Sequence, residues 1–342
     1  MKLRILSESD ARTCLDMKGA IEAQAEAFAL LAAKQTVEGL RAFVPNEAPP
    51  AVTIFNPSYL KNGGGFGIKV VSDFFRNDDV SVPRMSALVV LFCGQTGLPR
   101  TVMEGGYLTD LRTGAGTALA ARHLARPEST SLMLFGAGRV ARNQLVALAE
   151  VFPLRRVRVL ARSRARAEEF LRWARRVGGR IPQDVALASD APSALAEADV
   201  VVCATTATQP VLSGVALRQG TFVAAAGANR SDAREVDSET IRRADKWVVD
   251  SRADCLQHAG DLQIPLSEGI LRESDVAEIA EIIAGQRSGR ETSKEITYYK
   301  SIGVPIQDLW TAQRIEARAI AAGIGTVLEI GGDPDRFQAA AP

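Results

Sequence analysis

Histidine is nearly missing from this 342-residue chain, which holds only His123 and His258. That scarcity works against a zinc site built on imidazoles and against Ser-His-Asp hydrolysis, which needs a placed histidine base. The four cysteines, Cys14, Cys93, Cys203 and Cys255, lie far apart with no C-x-x-C pair. They read as free thiols of a reducing, cytoplasmic setting rather than as a disulfide framework. Charge excess is missing too: 41 Lys and Arg against 40 Asp and Glu leave a formal net charge of +1. Binding to nucleic acid normally shows as a basic excess, so no nucleic-acid partner is expected. Hydrophobic residues make up 46% of the chain, yet no run reaches the roughly 18–20 apolar residues of a membrane span. The opening stretch, Met1-Lys2-Leu3-Arg4-Ile5-Leu6, is too short and too soon polar for a signal peptide. What remains is a globular chain long enough for two domains, with no membrane partner and no metal site expected.

The most informative stretch present is Leu132 to Ala141. An apolar run enters Gly136-Ala137-Gly138-Arg139-Val140-Ala141, a Gly-x-Gly-x-x-Ala turn, and leaves it in a helical pattern from Arg142 to Leu148. Strand, glycine turn and helix N-terminus are the order a dinucleotide-binding unit needs. The first glycine makes the turn, the second lets the backbone approach a pyrophosphate, and the third small residue lets helix and strand pack. The N–H groups of the helix start attract the phosphates. A purely structural turn uses similar residues, but the flanking strand and helix favour the nucleotide. About 20 residues further on, an NAD site places an acidic residue against the ribose 2′-hydroxyl. Here the sequence reads Ala161-Arg162-Ser163-Arg164. With no carboxylate to repel it, a 2′-phosphate would meet Arg162, Ser163 and Arg164, which predicts NADPH with NADH as the alternative. The plainer reading is a solvated basic helix start. Cys203-Ala204-Thr205-Thr206-Ala207 either lines the nicotinamide or is an ordinary strand end.

From Ser129 onward short strands alternate with helices. Strands are expected at 130–135, 157–161, 200–204, 222–226 and 247–249, and helices at about 138–151, 164–176 and 192–197. This alternation predicts an α/β fold with a Rossmann-type doubly wound parallel sheet. Ahead of it, the pattern predicts a helix over Ser9–Ala33, apolar strands at 51–55, 66–71 and 87–92, and a helix over Leu108–Ala125. Together these describe a mostly antiparallel α+β region. A closing helix over Gln307–Ala322 should return to that region, and Asp333–Pro342 should be frayed.

Three cations of the first region, Arg41, Lys69 and Arg112, are candidates for chemistry. Lys69 interrupts an apolar strand, where an unpartnered ammonium is costly. Arg112 stands near the start of a Gly- and Ala-rich helix, whose small residues would let another group come close. Residue type alone does not make them a site, because snorkelling and ion pairs are common. Several segments occur in a telling order: Gly67-Ile68-Lys69, Leu108-Thr109-Asp110-Leu111-Arg112-Thr113-Gly114-Ala115, Gly136-Ala137-Gly138, and Glu295-Ile296-Thr297 through Lys300-Ser301-Ile302-Gly303-Val304-Pro305-Ile306-Gln307-Asp308. On these the chain resembles the ornithine cyclodeaminase/μ-crystallin family over nearly its whole length. The resemblance implies a substrate-binding and dimerisation domain of residues 1–125 together with 303–342. It implies an NAD(P)-binding Rossmann domain of residues 126–302, a substrate site between the two, and a homodimer. It further implies that Arg41, Lys69 and Arg112 hold a substrate α-carboxylate. Arg112, Thr113, Ser301 and Ile302 would approach the cofactor, with Thr205, Thr206 and Ala226 as further contacts.

One departure narrows the chemistry. Cyclodeaminases carry an aspartate after a small-Gly-Gly stretch, thought to take a proton from the substrate's side-chain amine. The corresponding stretch here is Ala225-Ala226-Gly227-Ala228-Asn229-Arg230, with Asn229 at the aspartate position. An amide is no general base, though it can orient a substrate nitrogen or a water. Asp232 would substitute only if the loop folds it inward. The expected function is NADPH-dependent reduction of a carboxylate-bearing imine such as Δ1-pyrroline-2-carboxylate or Δ1-piperideine-2-carboxylate, with Lys69 or an ordered water as proton source. An ornithine-type deaminating cyclisation, an amino-acid dehydrogenase and an NADPH-dependent small-ligand-binding protein of μ-crystallin type stay open beside it. Substrate choice is expected in loop residues such as Phe43, Phe55 and Asn56.

Overall fold

The computed structural model describes residues 1–77 and 82–331, so the fraying expected of Asp333–Pro342 lies outside the described residues. Among the described residues no helix is long and apolar enough to cross a membrane. The chain forms two compact units: Met1–Asp16, Lys34–Thr109 and Pro305–Pro342 make the first, and Met17–Ala33 with Asp110–Val304 the second.

The first unit is built on one sheet. Its strands are β1 (Lys2–Leu6), β2 (Thr36–Glu38), β3 (Ala42–Asn46), β4 (Ala51–Leu60), β5 (Gly65–Phe74), β6 (Met85–Phe92), β7 (Pro99–Glu104) and β16 (Thr326–Glu329). They lie in the order β16-β1-β7-β6-β5-β4-β2, with β3 also paired to β4. Only β1 and β7 run parallel, so the expected antiparallel character holds. Alternation along β5 sorts the side chains: Gly67, Lys69 and Val71 are buried, while Phe66, Ile68 and Val70 on the opposite face are half-buried. Helix α11 (Pro305–Ala322), the expected closing helix, packs against β4, β5 and β6, with Leu309 occupying the space a side chain at position 67 would need. The helix expected over Ser9–Ala33 is two. A capping box on Ser7 starts α1 (Glu8–Cys14), Leu15 is extended at φ −143° and ψ 116°, and α2 (Met17–Ala32) belongs to the second unit. The apolar spacing continues across the break, which hid it from a periodicity reading.

The second unit carries strands β8 (Ser131–Phe135), β9 (Arg156–Leu160), β10 (Asp184–Leu187), β11 (Val200–Cys203), β12 (Phe222–Ala225), β13 (Lys246–Val249), β14 (Val276–Glu278) and β15 (Thr297–Lys300). Their order is β10-β9-β8-β11-β12-β15-β13-β14, and every neighbouring pair is parallel. The first five places follow the Rossmann order, reversing between β8 and β11. The sixth is taken by β15, from late in the chain. Strands β8, β11, β12 and β15 are buried at every position, as parallel strands covered on both faces must be. Around the sheet run α3 (Gly105–Leu124), α4 (Arg139–Val151), α5 (Arg164–Val177), α6 (Ala191–Glu197), α7 (Ser238–Arg243), α8 (Arg252–His258), α9 (Gly260–Ser267) and α10 (Ile279–Ile283).

Where these strands begin, Asp199 ties several segments together. It accepts from Thr130 N (2.9 Å), Ser131 N (3.0 Å) and Ser131 Oγ (2.9 Å), and it pairs with Arg126 and Arg218. Burial pushes its pKa up, but these donors outweigh burial and hold the carboxyl below the usual aspartate range. With a depressed folded-state pKa, the unfolded chain takes up the proton first, so the stabilisation is complete above a pH of about 4 and is lost as pH falls through the folded value. A melting series from neutral to acidic pH is expected to fall steeply below a pH of about 4. Asp199→Asn should lower the neutral plateau and flatten that acid limb; an acid limb of unaltered slope in the variant would assign the acid sensitivity to other carboxylates.

Candidate active site

The glycine turn follows β8. Gly136 has φ +106°, and a Cβ there would sit 3.0 Å from the Ala204 carbonyl carbon and nearer still to its oxygen. Glycine is therefore required where the loops after β8 and β11 meet, at the reversal of strand order. Gly138 is the N-cap of α4 without a side-chain cap, and a Cβ there would meet nothing within 4 Å. Open space in front of an uncapped helix start leaves backbone N–H groups facing outward, the arrangement a pyrophosphate requires. Ala137 and Ala141 are buried, Val140 is half-buried, and Arg139 Nε is held by Asp110 Oδ2 at 2.7 Å. These residues fit a dinucleotide.

No acidic residue follows β9. Of the three residues assigned to a 2′-phosphate, Ser163 caps α5 by accepting from Arg166 N, and Arg164 pairs with Glu168 at 2.9 Å on an exposed surface. Arg162 is exposed and has no ion-pair partner among the described residues.

At the carboxyl ends of the strands lies a group that residue patterns did not reveal. Glu235 is fully buried. Its Oε1 accepts from Thr205 N and Thr205 Oγ1 (both 2.7 Å), and its Oε2 from Gly227 N (2.7 Å) and Ala228 N (3.1 Å). One carboxylate thus ties the loop after β11 to the loop after β12. Its own N–H donates to Asp261 Oδ1 at 2.7 Å, and Asp261 Oδ2 takes the Lys300 ammonium at 2.7 Å. Lys300 also donates to the Ala228 carbonyl, so β15 joins the same network. Burial pushes the Lys300 pKa down, but the Asp261 and Glu235 carboxylates outweigh it and hold the ammonium above the usual lysine range. The Thr205 hydroxyl is engaged here; Thr206 is exposed and Ala226 half-buried.

Asn229 is exposed on the loop after β12. Asp232 does not fold inward: it is exposed and paired with Arg230 (Nε–Oδ1 2.9 Å), whose hydrogen bonds lower its pKa. The loop after β15 is organised by buried Asp250, whose Oδ2 accepts from Ser301 Oγ (2.8 Å), Ile302 N (2.9 Å) and Gly303 N (2.6 Å). Against Gly303 lies the guanidinium of Arg112, itself only 6% exposed. The small residues after Arg112 serve helix packing, since a Cβ on Gly114 would sit 2.7 Å from the Asn143 carbonyl oxygen of α4. Neighbouring Thr113 is half-buried.

In the first unit, Lys69 is 3% exposed and its ammonium meets Asp308 Oδ2 at 2.6 Å, with Asp308 on the first turn of α11. The partner that a buried lysine needs is therefore the last residue of the Lys-Ser-x-Gly-x-x-x-x-Asp stretch. Lys69 faces Asn56 across β5 and β4, and Arg41 precedes the Ala42–Phe55 pair that joins β3 to β4. Asn56 and Lys69 thus face each other on β4 and β5, and Arg41 lies one residue before β3 begins. Asn56 is 8% exposed, and its Oδ1 makes no hydrogen bond among the described residues. Phe43 and Asn56 stand in strands β3 and β4, not in loops, as does Phe55, the last residue of the strand expected at 51–55; Pro45 and Pro57 masked the rest. Nearby Glu38 accepts from Ile306 N at 2.9 Å, and burial, helped by the Asp308 charge, raises its pKa.

The profile described as the ornithine cyclodeaminase/mu-crystallin family matches residues 2–323. A Δ1-pyrroline-2-carboxylate reductase of Bacillus cereus is 31% identical over 326 residues, covering 95% of this chain and 99% of its own. An alanine dehydrogenase of Archaeoglobus fulgidus is 32% identical over 330 residues, covering 96% and 99%. The solved structure of Thermococcus litoralis Δ1-pyrroline-2-carboxylate reductase in complex with NADH and L-proline superposes with a TM-score of 0.89 at 36% identity, covering 94% of this chain and 99% of its own.

Removing one member of a buried ion pair leaves the other charge uncompensated. Asp261→Ala is expected to destabilise the protein by about 3–5 kcal/mol, read by denaturant unfolding. A loss below about 1 kcal/mol would mean that Lys300 is solvated or neutral in the folded state.

Proposed function

The chain belongs to the ornithine cyclodeaminase/mu-crystallin family, and within it we propose an NADPH-dependent reductase of a carboxylate-bearing cyclic imine, Δ1-pyrroline-2-carboxylate or its six-membered homologue. One observation carries this reading: the basic trio Arg41, Lys69 and Arg112 is present, while the position of the cyclisation base holds exposed Asn229 and Asp232 is turned to Arg230. The cofactor rests on Gly136, Ala137, Gly138, Arg139, Val140 and Ala141, with Arg162 as the phosphate contact. When bound, the reduced nicotinamide supplies the hydride for the imine carbon. Arg41 and Arg112 fix the substrate carboxylate and so orient the carbon for attack. Lys69, anchored by Asp308, adds positive charge and donates a proton to the imine nitrogen, which makes its carbon more electrophilic. Residues 126–302 carry the cofactor, and residues 1–125 with 303–342 the substrate and dimer contacts. A homodimer is supported by the apolar sheet face of the first unit, where Tyr59 and Leu88 are exposed beside Phe66, Ile68 and Val90. The free cysteines Cys14, Cys93, Cys203 and Cys255 support a cytoplasmic location.

The test is the fate of the cofactor. With either cyclic imine, NADPH absorbance should fall in proportion to the cyclic amino acid formed. Ammonia release from ornithine without net change in absorbance would replace the proposal with a cyclodeaminase. Alanine-dependent reduction of NADP+ with no imine turnover would replace it with a dehydrogenase, and tight ligand binding with no oxidation with a binding protein. Arg112→Ala should lower kcat/KM for the imine by about two to three orders of magnitude while NADPH still binds. Arg162→Asp should move the preference from NADPH toward NADH, measured as the ratio of the two kcat/KM values; an unmoved ratio would place the phosphate contact elsewhere.

A further inference from the structure

We propose that Gly303 and Asp250 are positioning residues for Arg112: the bare α-carbon of Gly303, pinned by Asp250, is the wall against which the carboxylate-binding guanidinium is seated. The inference rests on the role given to Arg112 above. A side chain at position 303 cannot coexist with Arg112 as placed, because its Cβ would lie 2.6 Å from Nη2 and 2.8 Å from Cζ, and nearer still to Nη1. Gly303 also adopts φ +88°, a conformation that side-chain-bearing residues rarely take. The loop is held in that conformation from one side. Asp250 Oδ2 accepts three hydrogen bonds, from Ser301 Oγ, Ile302 N and Gly303 N, at 2.6 to 2.9 Å. Asp250 Oδ1 is fixed in turn by Ser251 N at 2.9 Å and Cys255 Sγ at 3.2 Å. The backbone continues the tie, since Asp250 N donates to Lys300 O and Ser301 N to Ala225 O. A fully buried carboxylate with both oxygens engaged cannot move without breaking the ends of β12, β13 and β15 together. The guanidinium is thereby backed on that side by a fixed backbone surface. A planar, two-pronged contact to a carboxylate needs that restriction, because its strength falls as the plane tilts.

The test separates seating of Arg112 from general loosening by reading the two substrates apart. In Gly303→Ala the KM for Δ1-pyrroline-2-carboxylate should rise at least about 20-fold, while the KM for NADPH stays within about threefold. Repeating the substitution in an Arg112→Ala background should cost less than about threefold, since the displaced group is gone. Asp250→Asn keeps the side-chain volume and adds no methyl, and should raise the imine KM by about fivefold and that of NADPH, which Ser301 and Ile302 of the same loop approach, by less than about twofold. Imine and NADPH KM values that rise together in both variants, or full additivity with Arg112→Ala, would overturn the positioning role. Should Gly303→Ala not fold, Asp250→Asn decides alone by the same split. An Arg112→Ala enzyme with wild-type imine kinetics would instead overturn the functional reading on which the inference rests.

Discussion

An ammonium buried at the end of an interior strand has to be answered by a carboxylate, and most of the second unit's working edge follows from that demand. Lys300 closes β15 with no solvent exposure, so Asp261 must reach it. Asp261 in turn holds the backbone of Glu235, and Glu235 holds the loops after β11 and β12. Apolar packing around Cys203, Val223, Val249 and Tyr298 buries surface without specifying direction. The charged chain does specify it, because each carboxylate oxygen is satisfied by donors at particular positions: Glu235 Oε1 by Thr205, Oε2 by Gly227 N and Ala228 N, and Asp261 Oδ2 by Lys300. Loops that surface placement would leave mobile are thereby fixed in the places a ligand would use.

Close backbone approach is the second constraint at the same edge. At Gly136 a side chain would strike the Ala204 carbonyl, and at Gly227 a Cβ would lie 2.5 Å from Thr205 N and 2.6 Å from Glu235 Oε1. Both glycines permit neighbouring loops to touch directly, and Glu235 reaches two of them only because nothing intervenes. Gly138 differs, for its Cβ direction is empty space. Two glycines of one short motif thus do different jobs: one joins protein to protein, the other keeps the protein away from where phosphate belongs.

The sequence made legible whatever is local. The Gly136–Ala141 turn, strands β8, β9, β11 and β12 with helices α4, α5 and α6, and the absence of an acidic residue after β9 all follow from contiguous residues, and the structure has them in place, whereas β10 (Asp184–Leu187) was not expected. Lys69 was visible as an ammonium in an apolar strand, but its partner Asp308 lies far along the chain, and only closure of α11 over β5 brings them together. Glu235, Asp250 and Asp261 carry no pattern at all. Their roles come from backbone N–H groups whose positions are set by strand order, and strand β15 was hidden because Thr297-Tyr298-Tyr299-Lys300 is too short to alternate. The break at Leu15 escaped for the opposite reason, since the apolar spacing runs on unbroken through it.

Reduction and cyclodeamination ask for different charges around one substrate, and that difference decides how the loop after β12 is read. Both need cations for the carboxylate, so the proposed trio of Arg41, Lys69 and Arg112 does not discriminate. A cyclodeaminase must also strip a proton from an alkyl ammonium, a group that is charged at neutral pH, before its nitrogen can attack. A carboxylate can accept that proton, and an amide cannot. A reductase starts from an imine whose nitrogen needs to gain a proton, not lose one, so an anionic base beside it is superfluous. Asn229, at the position proposed for that acid, would therefore remove a function from one reaction and nothing from the other. Of the carboxylates on that loop, Asp232 is exposed and paired with Arg230, Glu235 is spent on Thr205, Gly227 and Ala228, and Asp237 caps α7. The loop's electrostatics thus suit a substrate that arrives already dehydrated to the imine, and the enzyme's remaining task is to hold its carboxylate still.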